Sequence, residues 1–218
     1  MSARRTVRAY IGLGANLGDA AATMAAGVAA LEALPAIHVR AVSRLYATAP
    51  WGFTDQPEFR NAAAALDVVG ESASAEADAL DLLAWLKAIE RSGGRQARAR
   101  WGPRELDLDL LLYGRHRIDV DRPADARSID ADADPEKAAK RLEIPHRHLR
   151  ERLFVLAPLA DLAPRLVPPG WTETIETRRR QVAANEPPGS VRVLGDWDVA
   201  SERWVPPKAP GDPSGGAG

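Results

Sequence analysis

The chain has 218 residues, a formal net charge of −1 at pH 7 and no cysteine. This length is enough for one domain, with or without appendages, that buries a full hydrophobic core. The near-zero charge argues against a protein dominated by nonspecific nucleic-acid binding. The absence of cysteine excludes disulfides, thiolate catalysis and cysteine-ligated zinc, and the absence of a long apolar run leads us to expect a cytoplasmic protein that does not enter membranes.

The first half of the chain alternates between strand-like and helix-like segments. Strands are predicted at residues 7–13, 37–46 and 59–69, helices at residues 17–34 and 75–91, and a loop at residues 47–57. The helices are predicted from apolar side chains at intervals of three and four residues, and the strands from β-forming composition or alternation.

A further strand is predicted in WGPRELDLDLL, residues 101–111. After it, Gly114 and Arg115 favour a turn into a short hairpin partner ending near Ile118. Residues 145–163 are typical of helical turns that Pro158 interrupts. The resulting order β-α-β-β-α-β is that of an α+β, ferredoxin-like α-β-α sandwich with a mainly antiparallel sheet.

Two stretches have a weaker pattern. Residues 119–140 are acidic and alanine-rich, which predicts a mobile insertion in a main domain of residues 1–170. Residues 171–218 form a predicted C-terminal extension, in which residues 191–194, Trp197 and Trp204 favour one or two added strands. Its proline- and glycine-rich end is predicted to be disordered.

The predicted strand carries Asp107 and Asp109 two positions apart, between leucines 106, 108 and 110. Side chains alternate across a strand, so both carboxylates project from one face, roughly 6.6 Å apart. Two like charges on one face need a cation, and Mg²⁺ with phosphate oxygens is the favoured one. The alternative is an acidic pair on the solvated face of an edge strand.

Arginines crowd the segment before this pair, among glycines and a proline. They are Arg91, Arg95, Arg98, Arg100 and Arg104. Guanidinium groups beside a carboxylate pair suit a polyphosphate. Nucleic-acid binding or simple solvation are the alternatives for the arginines taken alone.

Two other motifs are weaker. IGLGANLGD has the wrong glycine spacing for dinucleotide binding, which favours a tight turn before a helix capped by Asn16 or Asp19. His146 and His148, near several arginines, are interpreted as phosphate donors or as part of an exposed helix start. Zinc would need further ligands that the sequence does not offer.

The segment GPRELDLDLLL closely resembles the signature of the 6-hydroxymethyl-7,8-dihydropterin pyrophosphokinases. YIGLGANLGD, SRLYATAPWGFTDQPEFRNAAAAL, IERSGGRQARARWGPRELDLDLLLYG and LEIPHRHLRERLFVLAPLADLAP resemble further blocks of that family in the right order, over about residues 7–166. The resemblance implies a ferredoxin-like fold and transfer of diphosphate from ATP to the pterin alcohol, giving AMP. It also implies two Mg²⁺ ions and a role in folate biosynthesis.

The resemblance also implies roles for individual residues. Both metal ions are assigned to Asp107 and Asp109, and these aspartates with Arg95 and Arg104 are the implied catalytic residues. The implied ATP-binding residues are Glu90, Arg95, Arg98, Trp101, Arg104, Leu110, Arg141, His146 and Arg152. The implied pterin-binding residues are Thr48, Ala49, Pro50, Trp51, Gly52, Phe59, Asn61, Trp101 and Phe154. Ala49 and Phe59 depart from the family, which often has proline and tyrosine there.

Two functions of other classes compete with this interpretation. A glycosyltransferase also holds a metal diphosphate between two acids, but it needs a larger sugar-nucleotide domain. An RNA-binding module on a ferredoxin-like sheet needs exposed aromatic side chains in its central strands, where this chain has leucines and aspartates. We therefore expect a monomeric enzyme whose partners are the two small-molecule substrates, with neither nucleic acid nor membrane.

Overall fold

The computed structural model describes residues 5–49, 55–93, 104–123 and 139–207. The strands are β1 (Arg5–Ala15), β2 (Ile37–Val42), β3 (Leu45–Thr48), β4 (Phe59–Gly70), β5 (Asp107–Tyr113), β6 (Ile118–Asp121), β7 (Lys140–Ile144), β8 (Val191–Asp198) and β9 (Arg203–Val205). The helices are α1 (Ala20–Glu32), α2 (Ala75–Ser92), α3 (Leu153–Leu162) and α4 (Ile175–Ala183).

The main sheet has seven strands in the order β5-β1-β4-β3-β8-β9, and β2 pairs with β4 beside β3. All of its strand pairs are antiparallel. Strands β6 and β7 form a separate two-stranded sheet. The predicted α+β class with a mainly antiparallel sheet is confirmed, and the strand and helix order agrees with the prediction when β2 and β3 are counted together.

Helices α1 and α2 cover one face of the main sheet and form the larger core with it. Alternate residues of β1, including Ile11 and Leu13, point into this core together with Leu108 of β5. Asp19 caps α1 by accepting a hydrogen bond from the Ala22 N–H at 3.0 Å, as the sequence predicted for one of two candidates. The continuous apolar face of the sheet explains why both helices dock here.

The opposite face is covered by α3 and α4 around a smaller apolar cluster. Leu156 and Leu159 of α3 and Ile175 of α4 pack there against Leu111 and Leu112. A register shift between β1 and β5 brings these two consecutive leucines to the same cluster. The smaller cluster covers only part of this face, and the polar residues described below occupy the rest.

Several local predictions were wrong. The strand predicted at residues 37–46 is two strands, separated where Ser43 donates its N–H to the Ala63 carbonyl and accepts the Ala63 N–H. The predicted hairpin partner of the DLD strand is absent from the described structure, because β6 pairs with β7. The turn predicted for the glycine segment is wrong for Gly12 and Gly14, which lie inside β1, and is present only at Gly18, whose φ is +57° just before α1.

The two peripheral stretches are more ordered than the sequence suggested. Both ends of the acidic segment belong to the β6–β7 sheet, so the mobile insertion predicted at residues 119–140 is wrong for these ends; residues 124–138 lie outside the described part. The extension contributes α4, which the sequence did not predict, and β8 and β9, which it did. Of the end predicted to be disordered, residues 206–218, the structure describes only Pro206 and Pro207, which lie outside any helix or strand; residues 208–218 lie outside the described part.

Candidate active site

Asp107 and Asp109 lie on the face of β5 that α1 and α2 do not cover. The register pairs Asp107 with Gly14 and Asp109 with Gly12, and Leu108 between them is fully buried. Both aspartates are partly exposed. The predicted alternation is therefore confirmed. The residues of β1 beside the two carboxylates are glycines, so this bare strip of β1 carries no side chain on the same face.

Two arginines balance these carboxylates. Arg104 Nη1 donates to Asp107 Oδ2 at 2.8 Å. Arg152, at the start of α3, is attracted electrostatically by Asp109 and Asp107, while burial lowers the pKa of its guanidinium. These two arginines are described residues beside the two acids, and a cation that binds the acids leaves their guanidinium groups available for anionic oxygens.

Glu90 fixes the outer edge of β5 between the two aspartates. Its side chain is only 2% exposed, and Oε1 accepts the Leu108 N–H at 2.7 Å and Lys87 Nζ at 2.6 Å. Lys87 also donates to the Leu108 carbonyl at 3.1 Å. Both backbone groups of Leu108 are thus satisfied by side chains of α2, which holds the carboxylate-bearing strand in place.

Asn61 and Thr48 form a buried polar pair on the same face. Asn61 Nδ2 donates to Thr48 Oγ1 at 2.8 Å, and the exposed fractions of the two residues are 7% and 8%. The Asn61 Oδ1 atom lies 3.6 Å from the point where a Cβ atom would stand on Gly14. Asn61 therefore directs an amide oxygen, which is a hydrogen-bond acceptor, over the bare strip of β1.

The strand register aligns these groups in one row across the sheet. Asp107 is opposite Gly14, Gly14 is opposite Asn61, and Asn61 is opposite Tyr46. Neighbouring strands lie about 4.8 Å apart, so the backbone of Asp107 is roughly 10 Å from that of Asn61. The glycine between them leaves room for a flat ligand, with a cation at one end and an amide acceptor at the other.

Aromatic and histidine side chains lie on the elements that carry this row or next to Arg152. Phe59 and Phe154 are half-buried, and the Arg152 guanidinium carbon lies 5.8 Å from the centre of the Phe154 ring. The backbone N–H of His146 donates to the Leu111 carbonyl at 2.9 Å, which ties it to β5. The rings of His146 and His148 are 5.9 Å apart, and burial, followed by the charge of Arg152, lowers the pKa of His148.

The donor set fits a hard cation better than zinc. Among the described residues, no cluster of three or more histidine, aspartate or glutamate side chains could hold a metal ion. Two carboxylates alone match Mg²⁺, which takes a few protein oxygens and completes its shell with water and phosphate.

Other predicted site residues lie elsewhere. The side chain of Leu110 is buried in the larger core, on the face opposite to the aspartates, so its contact with ATP stays a prediction for the main chain. Arg141 is exposed on β7, and the described structure gives it no contact with the acidic pair. Ala49 is exposed at the end of β3. The predictions for Pro50, Trp51, Gly52, Arg95, Arg98 and Trp101 lie outside the described residues.

Sequence reasoning missed the role of Asn16, which it treated as a candidate helix cap. Asn16 is 3% exposed, and its Oδ1 accepts the Arg104 N–H at 2.7 Å. Its Nδ2 donates to Gln56 Oε1 at 3.0 Å and to the Pro57 carbonyl at 3.1 Å. Asn16 thus joins the segment before β5 to the segment before β4, and its position between a strand and a helix gave no sign of these distant partners.

None of the helices that the structure describes is long and apolar enough to cross a membrane.

Residues 10–164 match the family described as 7,8-dihydro-6-hydroxymethylpterin-pyrophosphokinase (HPPK). The 2-amino-4-hydroxy-6-hydroxymethyldihydropteridine pyrophosphokinase of Methylorubrum extorquens is 41% identical over 186 residues, which are 85% of this chain and 98% of that protein. The enzyme of the same name from Pseudomonas aeruginosa is 42% identical over 159 residues, covering 73% and 82%.

Solved structures agree on the fold. A crystal structure of a triple mutant of Plasmodium falciparum HPPK-DHPS has a TM-score of 0.68 at 13% identity, over 94% of this chain and 49% of that one. This chain therefore spans about half the length of that solved chain. With the family match over residues 10–164 and the relatives above, the chain belongs to the 7,8-dihydro-6-hydroxymethylpterin-pyrophosphokinase family.

Proposed function

We propose that this protein transfers a diphosphate group from ATP to 6-hydroxymethyl-7,8-dihydropterin, giving AMP and the pterin diphosphate in folate biosynthesis. Family membership supports the reaction. The row Asp107, Gly14 and Asn61 is the observation that carries it for this chain, because it provides a cation site and an amide acceptor at the two ends of a space for a flat ligand.

Asp107 and Asp109 would hold the two Mg²⁺ ions that the reaction uses. When bound, these ions neutralise charge on the triphosphate and lower the pKa of the attacking hydroxyl. The fit rests on two partly exposed carboxylates that share one face and lack a third acidic or histidine ligand among the described residues. Arg104 already neutralises Asp107, so a bound cation shares this carboxylate with Arg104 or releases the arginine towards phosphate.

Arginines would hold the triphosphate around this centre. Arg104 and Arg152 are supported by their positions beside the acids. The start of α3 lies next to the same acids, and a helix N-terminus favours negative charge. Glu90, His146, Arg141, Arg95, Arg98 and Trp101 are the further residues that we assign to ATP binding, and Glu90 acts in addition by holding β5.

The pterin would lie over Gly14, with its amide edge against Asn61. The Asn61 Oδ1 accepts N–H groups of the ring, and its orientation is supported by the Thr48 contact. Phe59 and Phe154 would stack on the two faces of the ring. Residues 49–52 and Trp101 complete the pterin site that we propose.

The reaction itself needs alignment more than proton transfer. The pterin hydroxyl attacks the β-phosphorus of ATP, the bond from that phosphorus to the bridging α-phosphate oxygen breaks, and AMP leaves. Alignment of two bound reactants is worth about 7 kcal/mol or more. Asp109 is the carboxylate that we propose as a proton acceptor, and charge stabilisation by Arg104 and the assigned Arg95 supplies most of the remaining effect.

Incubation with ATP, Mg²⁺ and 6-hydroxymethyl-7,8-dihydropterin tests this function. We expect AMP and the pterin diphosphate in equal amounts, and no AMP when the pterin is omitted. RNA retention without AMP formation would instead support the binding module. The structure disfavours that module, since α1 and α2 cover one face of the sheet, α3 and α4 cover part of the other, and the exposed large apolar residues of the described part include no aromatic side chain. The monomeric state and the cytoplasmic location stay predictions.

A further inference from the structure

The C-terminal strand β8 lies directly beside the strand that carries Thr48. Strand β3 has four residues, and it pairs with β4 on one side and β8 on the other. Thr48, its last residue, is opposite Phe59 of β4 and opposite Val191 of β8. Without β8, Thr48 would be the terminal residue of a very short edge strand, where backbone pairing is weakest.

The two ends of β3 are held differently by the rest of the protein. Tyr46 OH hydrogen-bonds to Asp161 of α3 at 3.0 Å, and Arg44 also pairs with Asp161, so this end is fixed from above the sheet. Thr48 has a side-chain bond only from Asn61 among the described residues. The position of Thr48 therefore depends on the backbone pairing with β8 more than that of Tyr46 does.

Side chains anchor β8 and β9 at both ends of β3. Arg192 Nη2 donates to both carboxylate oxygens of Glu58, at 2.7 and 3.0 Å, just before β4 begins. At the other end, Trp204 Nε1 donates to the Ser43 carbonyl at 2.9 Å, and its ring packs edge-to-face on Trp197 at 4.7 Å. The hairpin of β8 and β9 therefore runs along the whole length of β3. Its Arg192 is bound to Glu58, the residue next to Phe59.

We propose that the hairpin of β8 and β9 is a positioning element for pterin recognition. It holds Thr48 against Asn61, so that the Asn61 amide nitrogen stays bonded to Thr48 and the amide oxygen stays directed over Gly14. The hairpin sets the affinity for the pterin without contacting the ligand, and it leaves ATP binding at the β5 side of the row unaffected. This inference rests on the proposed function, because it assigns the Asn61 acceptor to the pterin.

The main test compares two truncated chains with the full-length protein. One ends at Gly189 and lacks the hairpin, and the control ends at Pro207 and keeps it. Calorimetry gives the Kd of an unreactive ATP analogue alone, and then the Kd of 6-hydroxymethyl-7,8-dihydropterin in its presence. We expect the shorter chain to bind the pterin at least tenfold more weakly and the ATP analogue within threefold of the full-length chain, with KM for pterin raised more than kcat falls.

Point variants test the ion pair of Arg192 with Glu58 in a protein that keeps every strand. Arg192→Ala should weaken pterin binding by two- to fivefold, which is the range that an exposed ion pair allows. Arg192→Lys should recover part of the loss. Arg203 is an exposed arginine on β9, and Arg203→Ala is the matched control. It should leave the Kd of the pterin unchanged.

Three results separate the possible failures. A full-length chain that binds no pterin and forms no AMP overturns the proposed function, and this is seen before any variant is compared. The positioning role is overturned if the chain that ends at Gly189 folds and binds the pterin with unchanged affinity. It is also overturned if that chain loses equal affinity for the pterin and for the ATP analogue. If that chain does not fold by circular dichroism, the double-mutant cycle of Glu58→Gln and Arg192→Ala decides, and additive effects on pterin affinity overturn the proposal.

Discussion

The two faces of the main sheet differ in what fills them. Towards α1 and α2, the sheet presents a continuous apolar surface, with Ile11 and Leu108 buried to 0% exposure. Towards α3, the same strands carry Asp107, Gly14 and Asn61 in one row. Helix α3 begins only at Leu153, and this row lies at its N-terminal end, where the apolar cover stops.

This difference shows how stability and chemistry are separated on one strand. From Asp107 to Leu110, residues of β5 alternate between the two faces, so adjacent positions have different roles. A substitution on the α1 and α2 face changes packing, whereas one in the row of Asp107, Gly14 and Asn61 on the α3 face changes charge or space at the site. The variants below break or sharpen this comparison, from the largest expected effect to the smallest.

The largest effect is expected from Asp107→Asn and Asp109→Asn. Each keeps the shape of the side chain and removes one charge from the proposed metal site. AMP formation should fall by a hundredfold or more, as loss of about 3 kcal/mol of transition-state stabilisation requires. The melting temperature should stay within a few degrees, because the apolar face is intact. Either variant with near-wild-type AMP formation at ordinary Mg²⁺ would falsify the metal role of that aspartate.

Leu108→Ala tests the opposite face at the position between the two aspartates. The side chain is fully buried, so its truncation should lower the free energy of unfolding by about 3 kcal/mol. Urea denaturation measures this loss. Activity per folded molecule should change by less than fivefold, since the Leu108 backbone bonds to Glu90 and Lys87 remain. A well-folded variant with a hundredfold loss of activity would show that the two faces are not independent.

Gly14→Ala tests the bare strip between the aspartates and Asn61. The added Cβ lies 3.6 Å from Asn61 Oδ1, which is an ordinary contact, and alanine is favoured over glycine in a strand, so folding should be retained. The methyl group should occupy space that the pterin needs and lower kcat/KM for the pterin by about tenfold, or ~1.4 kcal/mol. Gly12→Ala is the control, because its Cβ would meet the Leu111 side chain that already covers that place.

The smallest effect concerns acid stability far from the row. Arg179 and, less strongly, Arg180 lower the pKa of Glu176 from its ordinary 4.5 to about 2. Because the folded-state pKa is depressed, the stabilisation is present above about pH 4.5 and is lost as the pH falls towards 2. Glu176→Gln should therefore reduce the loss of stability between pH 4.5 and 2.5 in urea denaturation. Glu202→Gln, in the turn between β8 and β9, should leave that loss unchanged.

The sequence by itself determined the features that depend on neighbouring residues. Period-two alternation put Asp107 and Asp109 on one face of a strand, and helical spacing located α2 to within one residue at its C-terminal end. The side chains that the resemblance assigned to the cation and to the pterin amide edge, Asp107 and Asn61, do lie on one row. The alternation and the helical spacing can be recognised without the rest of the protein, because strand and helix geometry are local, whereas the row itself depends on the register of the sheet.

Tertiary structure alone decided which distant segments meet. The break at Ser43, the pairing of β6 with β7, the place of β8 beside Thr48 and the bonds of Asn16 to Arg104 and Pro57 all join residues far apart in sequence. Strand register, which aligns Gly14 between the acids and the amide, is likewise set by packing of the whole sheet. Local sequence patterns carry no information about such partners, because the free energy that selects a pair of distant segments comes from burying their surfaces against each other.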